Sequence, residues 1–157
     1  MDSNSKRFHM RRSEREITDV EEIRKILKEA KLCHLGFIDG DEPYIVPVNY
    51  GYMENNIYFH SALEGRKVSI IKRNNKVCFN IIAEWEILDN KNQCKVNYVS
   101  VTGAGVASIV EDYEERVLGL KRIMVQNHGH EYKFPSGWSD NTLVVRIDIH
   151  DIKGKKY

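Results

Sequence analysis

Residues 57–67, IYFHSALEGRK, have the pattern of a short aromatic strand, a turn of small residues and the start of a basic helix. Ser61 and Glu64 have the S-x-x-E spacing of a capping box, which predicts that the helix begins at this turn. A helix start carries unpaired N–H groups and the positive end of the helix dipole, so it suits a phosphate. Arg66 and Lys67 add cations beside it. The spacing alone favours plain helix capping over a phosphate site, because such short motifs often occur without a ligand.

Most of the remaining chain has the pattern of antiparallel strands separated by turns. The sequence Asp39-Gly40-Asp41 is typical of a hairpin turn. Pro47 indicates a sheet edge or a bulge, because proline has no N–H to donate to a neighbouring strand. Gly103 and Gly105 indicate a bend within a long strand. The pattern predicts six strands, at residues 31–38, 44–52, 57–59, 76–87, 95–110 and 143–149.

Three helices are predicted between these strands. The first begins at Thr18, which forms a second capping box with Glu21. Asp112 is the expected N-cap of the last helix, and Gly129 is a suitable stop because glycine readily adopts the left-handed conformation that ends helices. The predicted helices cover residues 18–30, 64–74 and 112–126.

Six antiparallel strands with a few short helices indicate a mainly β fold of the α+β type, in which the sheet closes wholly or partly into a barrel. A chain of 157 residues is expected to form one domain, residues 1–157, with a polar arm at residues 1–16. The formal net charge of +1 gives no general attraction to nucleic acid or to an anionic membrane. Because no membrane-length apolar stretch or secretory signal is evident, we expect a cytoplasmic protein.

No catalytic or metal-binding set stands out in the sequence. Cys33, Cys78 and Cys94 are far apart and form no CxxC motif, so neither a disulfide framework nor a zinc ribbon is expected. His128 and His130 lie two residues apart without further ligands at the spacing of metal sites. No Ser-His-Asp pattern is evident, and the catalytic residues stay unassigned.

Four segments in order resemble one family of proteins. NIYFHSALEGRK resembles the IYFHSAxEGxK segment of flavin-binding proteins related to pyridoxamine 5′-phosphate oxidase, in particular their nitroimidazole-resistance (Nim) type. MRRSEREITD and YIVPVNYGY precede this segment and YVSVTGAGVASIVED follows it, so the resemblance covers residues 10 to 112. It implies a six-stranded antiparallel split barrel that binds flavin mononucleotide (FMN). It also implies a homodimer with the flavins at the subunit interface.

The resemblance further implies which residues contact FMN. Ser100 would complete the pocket, although this chain has Val99 where many Nim-type relatives have an arginine. Trp138 would cover the ring or the substrate from the partner subunit, or else be an ordinary core or surface residue. The implied phosphate contacts are His60, Ser61, Ala62, Lys67 and, more weakly, Arg66, and the implied ring contacts are Pro47, Val48, Asn49 and Tyr50.

The function that the resemblance implies is the reduction of small oxidised molecules, such as nitroimidazoles and other nitroaromatics, with NADH or NADPH as electron donor. The redox chemistry of such a protein belongs to the flavin, so no acid, base or nucleophile need appear in the sequence. Two alternatives stay open. One is a module that binds flavin or haem without turnover. The other is oxidation of pyridoxamine phosphate, which the C-terminal segment LVVRIDIHDIKGKKY disfavours because it lacks the arginine-rich pattern of that enzyme.

Overall fold

The chain is organised around one curled antiparallel sheet, seen in a computed structural model that describes residues 10–90, 93–135 and 137–157. The mainly β class with three short helices is confirmed. The strands are β1 (Glu16–Ile17), β2 (Leu32–Asp39), β3 (Glu42–Asn49), β4 (Gly51–Met53), β5 (Asn56–Ser61), β6 (Lys76–Asn90), β7 (Gln93–Ile109) and β8 (Leu143–Lys156). Across the sheet they follow the order β3-β2-β6-β7-β8-β5-β4, and β1 pairs with β8.

The described strands number eight instead of the predicted six, and two local features account for the difference. Glu16–Ile17 forms a two-residue strand on the edge of β8, where the predicted polar arm of residues 1–16 ends. The predicted strand at residues 44–52 is divided at Tyr50 into β3 and β4. Alternation of apolar residues predicts that a segment is extended, but it does not show where a bend divides it.

The sheet curls into a barrel that stays open between β3 and β5. Among the described residues β3 pairs only with β2, which confirms that Pro47 lies on an edge. On the other side, β4 covers β5 only from Asn56 to Tyr58, so the end of β5 has β8 as its single partner. The two open edges are joined through Tyr50 and form what we call the split. This arrangement is the predicted split barrel.

The core lies inside the curled sheet and under α1 (Val20–Glu29). Alternate residues of each strand point inwards, as the pleat of a strand requires. Burying a large apolar side chain of this kind contributes about 1.5–3 kcal/mol. The largest fully buried members include Leu27, Leu35, Tyr50, Ile57, Phe59, Ile70, Phe79, Ile81, Val101 and Ile147.

A second, smaller core cluster lies between α3 (Tyr113–His128) and the strands β5 and β8. The Asp112 cap of this helix is confirmed, since its side chain accepts a hydrogen bond from Glu115 N–H at 2.8 Å. Gly129 ends the helix at φ 81°, as predicted. The cluster places the C-terminal half of α3 against the bend at Tyr50.

Two of the predicted helix starts are wrong. The cap of α1 is Asp19 instead of Thr18, and its carboxylate accepts from Glu21 N–H at 2.9 Å. The second helix, α2, covers Arg66–Arg73 and has Gly65 as its N-cap, without a side-chain cap. Ser61 does not form the predicted capping box because it is still paired within β5, opposite Leu143 of β8.

The hairpin of β6 and β7 contains the longest strands of the sheet. Its pairing shifts register at Ile82/Glu84, and the pairing of β7 with β8 shifts at Ala104/Gly105, which confirms the predicted irregularity near Gly103 and Gly105. Within the described residues, none of the helices has the length and apolar character needed to cross a membrane.

Candidate functional site

The start of α2 presents unpaired backbone donors at the end of β5. The first hydrogen bond of the helix joins Ser69 N–H to the Gly65 carbonyl at 3.0 Å, so the N–H groups of residues 66–68 have no partner within the helix. Gly65 has φ 139°, a conformation that disfavours side chains, and no side chain caps the helix. The positive end of the helix dipole therefore has no side-chain cap. These donors, with Ser61 and Lys67 beside them, form what we call the cradle.

His60 lies at the edge of the cradle, in β5 directly before Ser61. Its ring centroid is 6.4 Å from that of Trp138, with the two planes inclined at 60°. Although His60 is among the exposed residues, the surrounding protein partly desolvates the imidazole, and the ammonium of Lys67 acts on it as well. Both effects lower the pKa of His60 from its ordinary value. The neutral imidazole is therefore favoured, and Lys67 supplies the positive charge of this corner.

Trp138 lies beside the cradle of its own chain. It is half-buried, stacks on Phe134 with ring centroids 4.4 Å apart, and packs against the cluster under α3. Trp138 thus has a structural contact with the core and a second contact with His60. Ala62 follows directly after β5 and is exposed at the opening of the cradle.

Arg66 does not point into the cradle. Its guanidinium pairs with Asp39 at 2.8 Å and Glu42 at 3.1 Å and lies over the ring of Tyr44 at 4.5 Å. The hydrogen bond from Arg66 lowers the pKa of the Asp39 carboxyl, and Arg73 adds to this effect from 2.6 Å. Arg66 therefore ties the start of α2 to the turn between β2 and β3. Of the two cations predicted for the phosphate, Arg66 is thus engaged by carboxylates of this turn.

The four residues implied for the flavin ring lie along the other side of the split. Val48 and Tyr50 have buried side chains, and the Tyr50 hydroxyl donates to the Leu27 carbonyl at 2.8 Å. Pro47 and Asn49 face outwards. The Asn49 amide nitrogen donates to Asn127 at 3.0 Å. This edge therefore offers a ligand the backbone of β3, the Pro47 ring and the side-chain amide oxygen of Asn49. Tyr50 belongs to the core.

Two residues that the sequence analysis did not single out fix the bend of the split. Gln126 is buried, accepts from Tyr52 N–H at 2.8 Å, and donates to the carbonyls of Leu27 at 3.0 Å and Ala30 at 2.6 Å. Asn127 donates to the Tyr50 carbonyl at 2.9 Å. The sequence shows only two adjacent amide side chains near the end of the apolar stripe of a helix. This pattern does not identify their hydrogen-bond partners, which lie some 70 to 100 residues away.

Ser100 lies far from the cradle within one chain. Strand β8 runs past both places, with Leu143 opposite Ser61 and Lys155 opposite Ser100. Twelve residue steps separate positions 143 and 155, which correspond to about 40 Å along an extended strand. Val99 is the neighbour of Ser100, opposite Lys156. Within one chain, Ser100 therefore lies at the other end of β8 from the position that pairs with Ser61.

Comparisons with known proteins agree with this fold. A family model described as pyridoxamine 5′-phosphate oxidase matches residues 19–156. A putative 5-nitroimidazole antibiotic resistance protein from Bacteroides thetaiotaomicron is similar over 90% of this chain and 86% of its own, with 27% identity and a TM-score of 0.82.

Two further structures share the fold at lower identity. The flavocytochrome Anf3 from Azotobacter vinelandii covers 98% of this chain and 74% of its own, with 19% identity and a TM-score of 0.80. A FAD-binding protein from Mesorhizobium loti covers 91% and 97%, with 20% identity and a TM-score of 0.68. No curated protein matches the chain. The match of the family model over nearly the whole length, together with the split barrel, shows that this chain belongs to the pyridoxamine 5′-phosphate oxidase family.

Proposed function

We propose that this protein binds FMN and reduces small oxidised molecules, among them nitroaromatics such as nitroimidazoles, with NADH or NADPH as the electron donor. The observation that carries the proposal is the uncapped start of α2, where free N–H groups meet Ser61 and Lys67 at the open edge of β5. This donor set fits a terminal monophosphate. The similarity to a putative 5-nitroimidazole resistance protein supports the substrate class, and the similarity to a flavocytochrome and a FAD-binding protein of the same fold supports a flavin as the ligand.

The residues around the split fit the remainder of such a cofactor. Lys67, the hydroxyl of Ser61 and the N–H groups at positions 66–68 would hold the phosphate. The open backbone of β3 and the Asn49 carbonyl oxygen would contact the ring edge. A bound flavin would supply the electron-transfer chemistry. His60, kept neutral by desolvation and by Lys67, would donate or accept a hydrogen bond beside the phosphate without adding charge.

The absorbance spectrum of the purified protein tests the first half of the proposal. A flavin spectrum, present on purification or after reconstitution with FMN, is expected. A colourless protein that takes up no FMN would contradict the proposal, and a haem spectrum would favour a haem-binding module. Steady-state oxidation of NADH or NADPH with a nitroimidazole acceptor tests the second half. Flavin that stays bound without any turnover would indicate a binding module instead of a reductase.

We also propose that the active form is a homodimer. The sheet carries exposed apolar side chains on β3 and β6, with Ile45 69%, Trp85 64% and Ile82 53% exposed. Burial of such a patch by a second copy removes it from water. A homodimer would also bring the Ser100 end of one chain to the cradle of the other, which a single chain cannot do because β8 separates them.

Sedimentation equilibrium distinguishes a homodimer from a monomer. The chain has a mass of 18.3 kDa, and twice this mass is expected for the purified protein. Ile45→Asp should shift the equilibrium towards the monomer, because it places a carboxylate in the proposed interface. Val20→Asp is the control, since Val20 is 57% exposed on α1 and outside this face. A wild-type monomer, or equal effects of the two variants, would contradict the proposed interface.

A further inference from the structure

We propose that the cleft between α3 and the segment formed by residues 131–135, 137 and 138 is a second binding site, specific for planar aromatic anions such as aromatic carboxylates. The cleft has a volume of about 640 Å³. This size lies within the range of pockets that hold small organic ligands. Its lining includes Phe134 and Trp138 but not His60, Ser61 or Lys67. Trp138 lines the cleft and also contacts His60.

Aromatic side chains dominate the walls of this cleft. Phe134 and Trp138 stack with an interplanar angle of 4°, which gives a flat apolar wall. Tyr132 belongs to the same segment, and its ring contacts the ring of His130 at a centroid distance of 4.6 Å. Tyr113 lines the cleft from α3. Aromatic walls of this kind favour flat, unsaturated ligands, because stacked rings gain energy beyond the burial of area.

The charged groups of the cleft favour an anion. Lys121 from α3 and Lys133 from the segment line it, against one carboxylate, Glu131. Neither lysine forms an ion pair with a carboxylate among the residues that the structure describes. Arg116 does not line the cleft, and its guanidinium lies 5.8 Å from the Tyr113 ring. Cations on both walls would hold a carboxylate or sulfonate between them.

The indole N–H signals of the two tryptophans in a ¹H–¹⁵N NMR spectrum test this proposal. The sequence contains two tryptophans, so the variant Trp85→Phe assigns both signals. The full-length protein is titrated with 2-naphthoate, a planar aromatic carboxylate, and separately with its neutral analogue 2-naphthamide. Saturable movement of the Trp138 signal by naphthoate is expected, with an unchanged Trp85 signal. Affinity for the amide should be about tenfold lower, since the amide keeps the ring and loses the charge.

Variants separate the roles of the lysines from general charge. The double variant Lys121→Gln, Lys133→Gln should weaken naphthoate binding by about tenfold and leave naphthamide binding unchanged. Lys28→Gln is the matched control, because Lys28 is exposed on α1, away from the cleft. A Trp138 signal that does not move, or equal affinities for the acid and the amide, would overturn the proposal.

A repeat of the titration with an excess of FMN tests whether the two sites are separate. Movement of the Trp138 signal by naphthoate in the presence of FMN supports a second site. If FMN abolishes the naphthoate response competitively, the cleft belongs to the flavin site and the proposal of a separate site fails. A protein that binds naphthoate and no FMN would contradict the proposed function alone, so the two failures are distinguishable.

Discussion

The two neighbouring cations at the start of α2 should differ sharply in their contribution to FMN binding. Lys67→Met removes an ammonium beside the free N–H groups of the helix start, where a phosphate would lie. A charge-assisted hydrogen bond to phosphate contributes about 1–3 kcal/mol, so the Kd for FMN should rise roughly 5- to 150-fold. Arg66→Met is the matched control. The Arg66 guanidinium is already engaged by Asp39 and Glu42, so its loss should change this Kd by less than about threefold.

Riboflavin provides a second control for the same experiment, because it has the ring of FMN without the phosphate. Quenching of flavin fluorescence on titration with protein measures both affinities. Lys67→Met should leave the Kd for riboflavin unchanged, whereas a variant that damages the fold would weaken both ligands. If Arg66→Met causes the larger loss, or if Lys67→Met weakens FMN and riboflavin equally, the phosphate has been placed wrongly.

Two further predictions concern stability and ionisation near the split. Gln126→Met removes three hydrogen bonds of the Gln126 side chain, including those to Tyr52 N–H and the Leu27 carbonyl. At roughly 1 kcal/mol for each bond, the free energy of unfolding measured in urea should fall by about 3 kcal/mol. A loss below about 1 kcal/mol would show that other groups satisfy these partners. Lys67→Met should raise the pKa of His60, followed by NMR, because the ammonium is one of the two causes that lower it. The lowered pKa of His60 also makes the stability of the protein depend on pH. As the pH falls, the unfolded chain binds a proton at His60 before the folded protein does, so the folded state loses stability. An unchanged pKa of His60 in this variant would mean that desolvation alone lowers it.

The sequence predicts the segments of this fold well and their ends less well. Strand alternation, the Asp112 cap and the Gly129 stop are local signals, and the structure confirms each of them. Thr18 and Asp19 are adjacent residues that both cap helices, so the sequence could not distinguish them. Ser61 has the spacing of a cap, yet its pairing with β8 keeps it in a strand. That pairing joins positions 82 residues apart and leaves no local signal.

The same limit applies to the candidate site. The grouping of His60, Ser61 and Lys67 follows from their closeness in sequence, and the structure keeps them together at the cradle. The resemblance implies Arg66 only as a weaker phosphate contact, and the sequence gives no sign of its partner Asp39, which is 27 residues away. A helix start sends successive side chains in different directions, so neighbours in sequence need not serve one ligand.

Tyr50 joins the two edges of the split, and its ring is locked in the core by the hydrogen bond to Leu27. The width of the opening is therefore set by a fully buried, hydrogen-bonded residue, so we expect a ligand to meet walls that are already in position. Little of the binding energy is then lost to reorganisation of the backbone. Amide hydrogens around Tyr50 should exchange slowly with solvent whether or not a ligand is bound, while those at the start of α2 should gain protection on binding.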